Sequence, residues 1–130
     1  MIRRPQITLY SRNLPGVRAF YESLGFRETF RYPDEGPEIH VEFVLDGFIL
    51  GIVDIAVGAK EHGFDVNLGG HTIELVLWND DTDALFERLV ADGAPVLAEP
   101  HDWLGDLRVA WVADPDGNPV QLVQKREPAA

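Results

Sequence analysis

Apolar and polar residues alternate along Ile7-Thr-Leu-Tyr-Ser11, the period of a half-buried strand. Asn13 then offers a helix cap and Pro15 suits a first turn. Val17, Phe20, Tyr21 and Leu24 recur at helical spacing before Gly25 stops the run. Phe26–Tyr32 reads as a strand and Pro33–Pro37 as a turn, while Ile39–Leu45 and Phe48–Asp54 read as a hairpin closed by Asp46-Gly47. From Ala56 to Leu68 the pattern lapses into glycine and charge with little period, and Gly69-Gly70 closes the stretch. His71–Trp78 resumes as an apolar-rich strand, and Asn79–Asp83 supplies the acidic residues that favour a helix start. Leu85, Phe86, Leu89 and Val90 form that helix's apolar face, and Gly93 ends it. Pro95–Ala98, Leu107–Ala113 and Val120–Gln124 read as strands, with a turn at Asp114–Asn118 and a fraying tail from Lys125 to Ala130.

Laid side by side, Arg12–Phe26 and Asp80–Ala94 play the same roles in the same order: cap, apolar helix, glycine stop. Each helix sits between one strand before it and three after it. The pattern predicts one α+β domain of two tandem βαβββ modules, the first over about residues 5–55 and the second over about 70–125, joined by a linker over about 56–69.

The chain has 130 residues, enough to bury roughly two-thirds of its unfolded surface. Its formal net charge of -11 argues against a nucleic-acid partner, which needs a basic stripe. The same charge serves solubility and would attract a cationic ligand. There is no cysteine, hence no disulfide and no thiolate metal site. The absence of a signal-like apolar run at the N-terminus, and of any stretch long enough for a membrane span, makes the cytoplasm the expected location, with no membrane partner.

The βαβββ–βαβββ order, the helix segment Ala19-Phe-Tyr-Glu-Ser-Leu-Gly-Phe26 and the segment Asp114-Pro-Asp-Gly-Asn-Pro-Val-Gln-Leu-Val123 resemble the vicinal oxygen chelate superfamily. That superfamily comprises glyoxalase I, extradiol dioxygenases and bleomycin-resistance proteins. Trp103-Leu-Gly-Asp-Leu-Arg108 is similar to the Trp-Gly-x-Arg segments of bleomycin-resistance members, with an extra leucine between Trp and Gly. The resemblance covers nearly the whole chain. It implies modules curled into half-barrels around a cavity, and often a homodimer.

Metal-dependent members hold a divalent ion with side chains from four strands, commonly His, Glu, His and Glu. Counting from the matched helix starts and the last turn carries those positions onto Gln6, Gly51, Glu74 and Gln121, with the place of Gly51 open by a residue or two. Neutral amides bind such metals weakly and glycine offers no side chain, so no metal and no other cofactor is expected. His40, His62, His71 and His101 show no paired spacing that would replace the set.

Alternation puts Gln6, Thr8 and Tyr10 on one strand face, Thr72, Glu74, Val76 and Trp78 on another, and Gln121 with Val123 on a third, each opposite an aliphatic face suited to helix packing. These mixed faces, with Gly51, Trp103, Arg108 and Trp111, form the expected ligand lining. Glu74 carries the most chemical potential, as a general base, as the partner of a cationic group, or simply as a carboxylate paired with Arg108. Within the family the chain is closest in character to metal-free bleomycin-resistance-like members. The expected function is metal-independent binding of a small aromatic or cationic molecule. The alternatives are a glyoxalase-like lyase or isomerase, or a dioxygenase-like enzyme with an atypical metal site.

Overall fold

The computed structural model describes residues 1, 3, 6–57 and 73–127. The chain divides into two compact units, Met1–Gly69 and Gly70–Ala130. Most of the expected linker, together with His62, His71 and Thr72, lies outside the described residues.

In the first unit β1 (Ile7–Ser11) leads into α1 (Leu14–Ser23), followed by β2 (Arg27–Tyr32), β3 (His40–Leu45) and β4 (Phe48–Asp54). The sheet order is β1-β4-β3-β2, so the first strand lies parallel to the last across a helical crossover. The Asn13 side chain accepts from the Gly16 N–H at 3.2 Å, which starts α1 where the sequence places it. Val17 and Tyr21 of α1 are fully buried, as are Val41, Phe43, Leu50 and Ile52 on the sheet. Arg18 ties this face down: it ion-pairs with Glu22, Glu28 and Glu38, and its guanidinium lies 5.3 Å from the Phe43 ring centroid.

The second unit repeats the plan with β5 (Leu75–Trp78), α2 (Thr82–Ala91), β6 (Val96–Trp103), β7 (Leu107–Ala113) and β8 (Pro119–Lys125), in the order β5-β8-β7-β6. Asp81 caps α2 by accepting from Ala84 N–H at 3.1 Å, at the position that matches Asn13. Leu75, Val120, Leu122, Ala110 and Val112 make the buried face, with Leu89 of α2. The turn before β8 closes on Asp114, which is 1% exposed and accepts from the backbone N–H of Asp116 and Asn118, each at 2.9 Å.

The strand expected over Pro95–Ala98 is longer: β6 runs through Pro100 and His101 to Trp103. Its pairing with β7 shifts register twice, between Val96 and Ala98 and between Ala98 and His101. β6 is an edge strand, so a proline and bulges are tolerated there and the alternation is lost.

Candidate functional site

Register decides which side chains share a face. In the first unit Gly51 pairs with Thr8 on one side and with Glu42 on the other. The face away from α1 therefore carries Thr8, Tyr10, Gly51 and Glu42, with His40 two residues before Glu42, and Phe30 and Tyr32 from β2 opposite Glu42 and His40. Gln6, just before β1, donates from Nε2 across β4 to Glu42 Oε2 at 3.4 Å. His40 Nε2 lies 3.2 Å from the same oxygen, within ion-pair distance but without hydrogen-bond alignment, and the Phe30 ring meets the imidazole edge-on.

In the second unit Gln121 pairs with Val76 and with Trp111, so it occupies the place that Gly51 holds in the first. Its face carries Glu74, Val76, Trp78, Gln121 and Trp111, with Trp103 and His101 from β6 opposite Leu107 and Val109. Trp111 Nε1–H donates to Glu74 Oε2 at 3.0 Å. The His101 ring stacks on Trp111 with centroids 6.1 Å apart and planes 23° from parallel. Trp78 and Trp103 stand 66% and 51% exposed, and Val76 45%.

Arg108 departs from this set. Alternation turns it to the side of the sheet that bears α2, where it donates to Asp83 at 3.1 Å and to Asp102 at 3.2 Å. The hydrogen bond it donates to Asp83 raises the guanidinium pKa above its ordinary value. Arg108 is thus committed to holding α2 against β7, and it is not the partner of Glu74: the Trp111 indole is. Glu74 itself precedes β5 rather than lying within it.

The metal centre implied by the resemblance does not fit these residues. Two of the four positions are neutral amides, and one oxygen of Glu74 is engaged by an indole N–H. At Gly51 a Cβ would come 2.8 Å from Thr8 Oγ1, so even the stub of a ligating side chain meets a neighbour. Among the described residues no group of three or more His, Asp or Glu converges as a metal site.

Three residues outside the expected lining join the two faces: His40, Glu42 and His101. The signal for Glu42 was its two-residue spacing from His40 on a strand whose intervening Val41 is apolar. His101 gave none, because the register shifts of β6 defeat counting.

Residues 3–122 match the family described as Glyoxalase/Bleomycin resistance protein/Dioxygenase superfamily. Among solved structures, hypothetical protein SA1046 from S. aureus is similar with a TM-score of 0.78 at 20% identity, covering 95% of each chain. A glyoxalase-related enzyme from Fulvimarina pelagi gives 0.76 at 22% identity, covering 95% of this chain and 89% of that one. TioX from Micromonospora sp. ML1 gives 0.67 at 26% identity, covering 92% and 97%. No curated protein matches the chain. None of the described helices is long and apolar enough to cross a membrane. With its two βαβββ units and a match over nearly its full length, the chain belongs to the glyoxalase/bleomycin resistance protein/dioxygenase superfamily.

Proposed function

We propose that the chain is a metal-independent small-molecule-binding protein of this superfamily, and that its ligand is planar and cationic. The observation that carries this reading is the open face of the second unit. Two exposed tryptophans, Trp78 and Trp103, share that face with Trp111 and the carboxylate of Glu74. A soluble domain gains nothing from exposed indoles unless something covers them, and aromatic platforms beside a carboxylate favour flat cations. The net charge of -11 draws such a ligand in. The donor set at Gln6, Gly51, Glu74 and Gln121 supports binding without a metal, since two amides and a glycine leave one carboxylate to hold an ion. As in many superfamily members, the working form is a homodimer in the cytoplasm.

All three tryptophans lie in the second unit, so intrinsic fluorescence reports on this face directly. A panel of planar cations, planar neutral compounds and non-planar amines should quench it in that order of affinity, unchanged by a chelator. Glu74→Gln should weaken the cations by about tenfold and leave planar neutral compounds alone. One stoichiometric transition metal per purified chain, or quenching that needs added metal, would overturn the metal-independent reading. Sedimentation at micromolar concentration tests the dimer.

A further inference from the structure

The stacked histidine of the second unit has a defined proton. His101 Nδ1 lies 2.7 Å from the backbone carbonyl oxygen of Glu99. A carbonyl can only accept, so Nδ1 carries the hydrogen. In the neutral ring Nε2 is then a bare lone pair. The ring itself is held against Trp111, whose own N–H is given to Glu74. The exposed indoles therefore come with two acceptors, a carboxylate and an imidazole nitrogen. The N–H of Trp111 is already engaged by Glu74, while the Gln121 amide and the indoles of Trp78 and Trp103 share the face as donors.

A surface that stacks and offers these two acceptors discriminates among cations. A flat cation with N–H groups at its edge satisfies Nε2 and the carboxylate together. A flat cation whose nitrogens are all alkylated stacks equally well but leaves both acceptors without a donor, and unmet acceptors on a covered face are penalised.

We propose that His101 is a specificity-determining hydrogen-bond acceptor, and that with Glu74 it selects planar cations bearing N–H donors: aminated heteroaromatic rings, aryl amidines or aryl guanidines. This rests on the reading of the second unit's face as the binding surface and narrows the ligand class that face takes.

Two monocations of the same ring system test it: 9-aminoacridine, which carries N–H donors, and 10-methylacridinium, which has none. Calorimetric titration of the full chain should show 9-aminoacridine binding about tenfold tighter, the worth of one charge-assisted hydrogen bond. His101→Phe keeps a ring over Trp111 and removes the acceptor. It should shrink the preference to the part that Glu74 supplies while leaving 10-methylacridinium affinity unchanged, and His101→Gln, which restores an acceptor oxygen, should recover part of the loss. If both cations bind and the preference is undiminished in His101→Phe, the role of His101 is overturned while the binding face stands. If neither cation binds, the reading of the face itself fails and takes this one with it. An independent readout is the ring ¹⁵N spectrum, in which His101 should show a protonated Nδ1 and a bare Nε2. The opposite tautomer would sink the assignment.

Discussion

Gly51→Ala puts the geometry of the first unit to a direct test. Gly51 is buried in β4 between Thr8 on β1 and Glu42 on β3. A Cβ there would stand 2.8 Å from Thr8 Oγ1, while Thr8 Cβ and Cγ2 sit at ordinary contact distances of 3.5 and 3.6 Å. The clash is therefore with one atom. Thr8 turns away only at a cost, because χ1 of a β-branched side chain on a strand is restricted and one of its two other staggered wells brings Cγ2 to the same place. Overpacking of this kind costs about 1–3 kcal/mol. Against it, alanine relieves the strand of glycine's entropic penalty, about 0.5–1 kcal/mol. Gly51→Ala alone should then destabilise by about 1–2 kcal/mol net. In a Thr8→Ala background the offending oxygen is gone, and the same change should be neutral or stabilising by about 0.5 kcal/mol. The coupling between the two sites, about 1–3 kcal/mol, is the quantity to measure by urea unfolding of the four proteins. Far-UV circular dichroism is the readout, since it sees both sheets and the first unit has no tryptophan. A Gly51→Ala penalty that is the same with threonine and with alanine at position 8 would refute the argument.

Removing either helix cap, by Asn13→Ala or Asp81→Ala, should cost about 1 kcal/mol, read as a lower urea midpoint at unchanged slope. Arg18→Met should cost about 2 kcal/mol, because Glu38, 11% exposed, then keeps, among the described residues, its 3.0 Å pair with Arg31 alone. Arg108→Met should lower the melting temperature and leave the affinity for planar cations unchanged, since Arg108 lies on the helix side of its sheet. Folding raises the Arg108 pKa, so its ion pairing would be lost only as pH rises through that raised value, above the ordinary arginine range. A stability profile between neutral pH and pH 9 should show no step that Arg108→Met removes.

The architecture was legible because the features that encode it are local. Caps at Asn13 and Asp81, glycine stops at Gly25 and Gly93, and the turn at Asp114–Asn118 each act within a few residues. A repeat of such signals reveals a repeat of modules. Face assignments also followed from counting wherever strands are regular, as on β5 and β8. They failed in two ways. Arg108 was drawn into the lining by its place in a motif, although simple alternation with Trp111, three residues on, sets the two on opposite faces. His101 escaped because two bulges on β6 reset the count, and no sequence pattern marks a bulge that an edge strand tolerates without penalty.

What the duplication conserves in place it inverts in chemistry. In both units a residue just before the first strand reaches across the last strand to a residue on the strand beyond. In the first, Gln6 reaches across β4 to Glu42; in the second, Glu74 is reached across β8 by Trp111. The carboxylate has changed ends. In the first unit the amide donates to an acid on β3, and in the second the indole on β7 donates to an acid ahead of β5. In the first unit the carboxylate is shared with His40, whereas in the second it is paired with an aromatic ring. The same backbone thus presents a polar, histidine-linked acid on one sheet and an aromatic-linked acid on the other. The exposed indoles accordingly belong to the second unit, whereas the matching face of the first carries the rings of Phe30 and Tyr32.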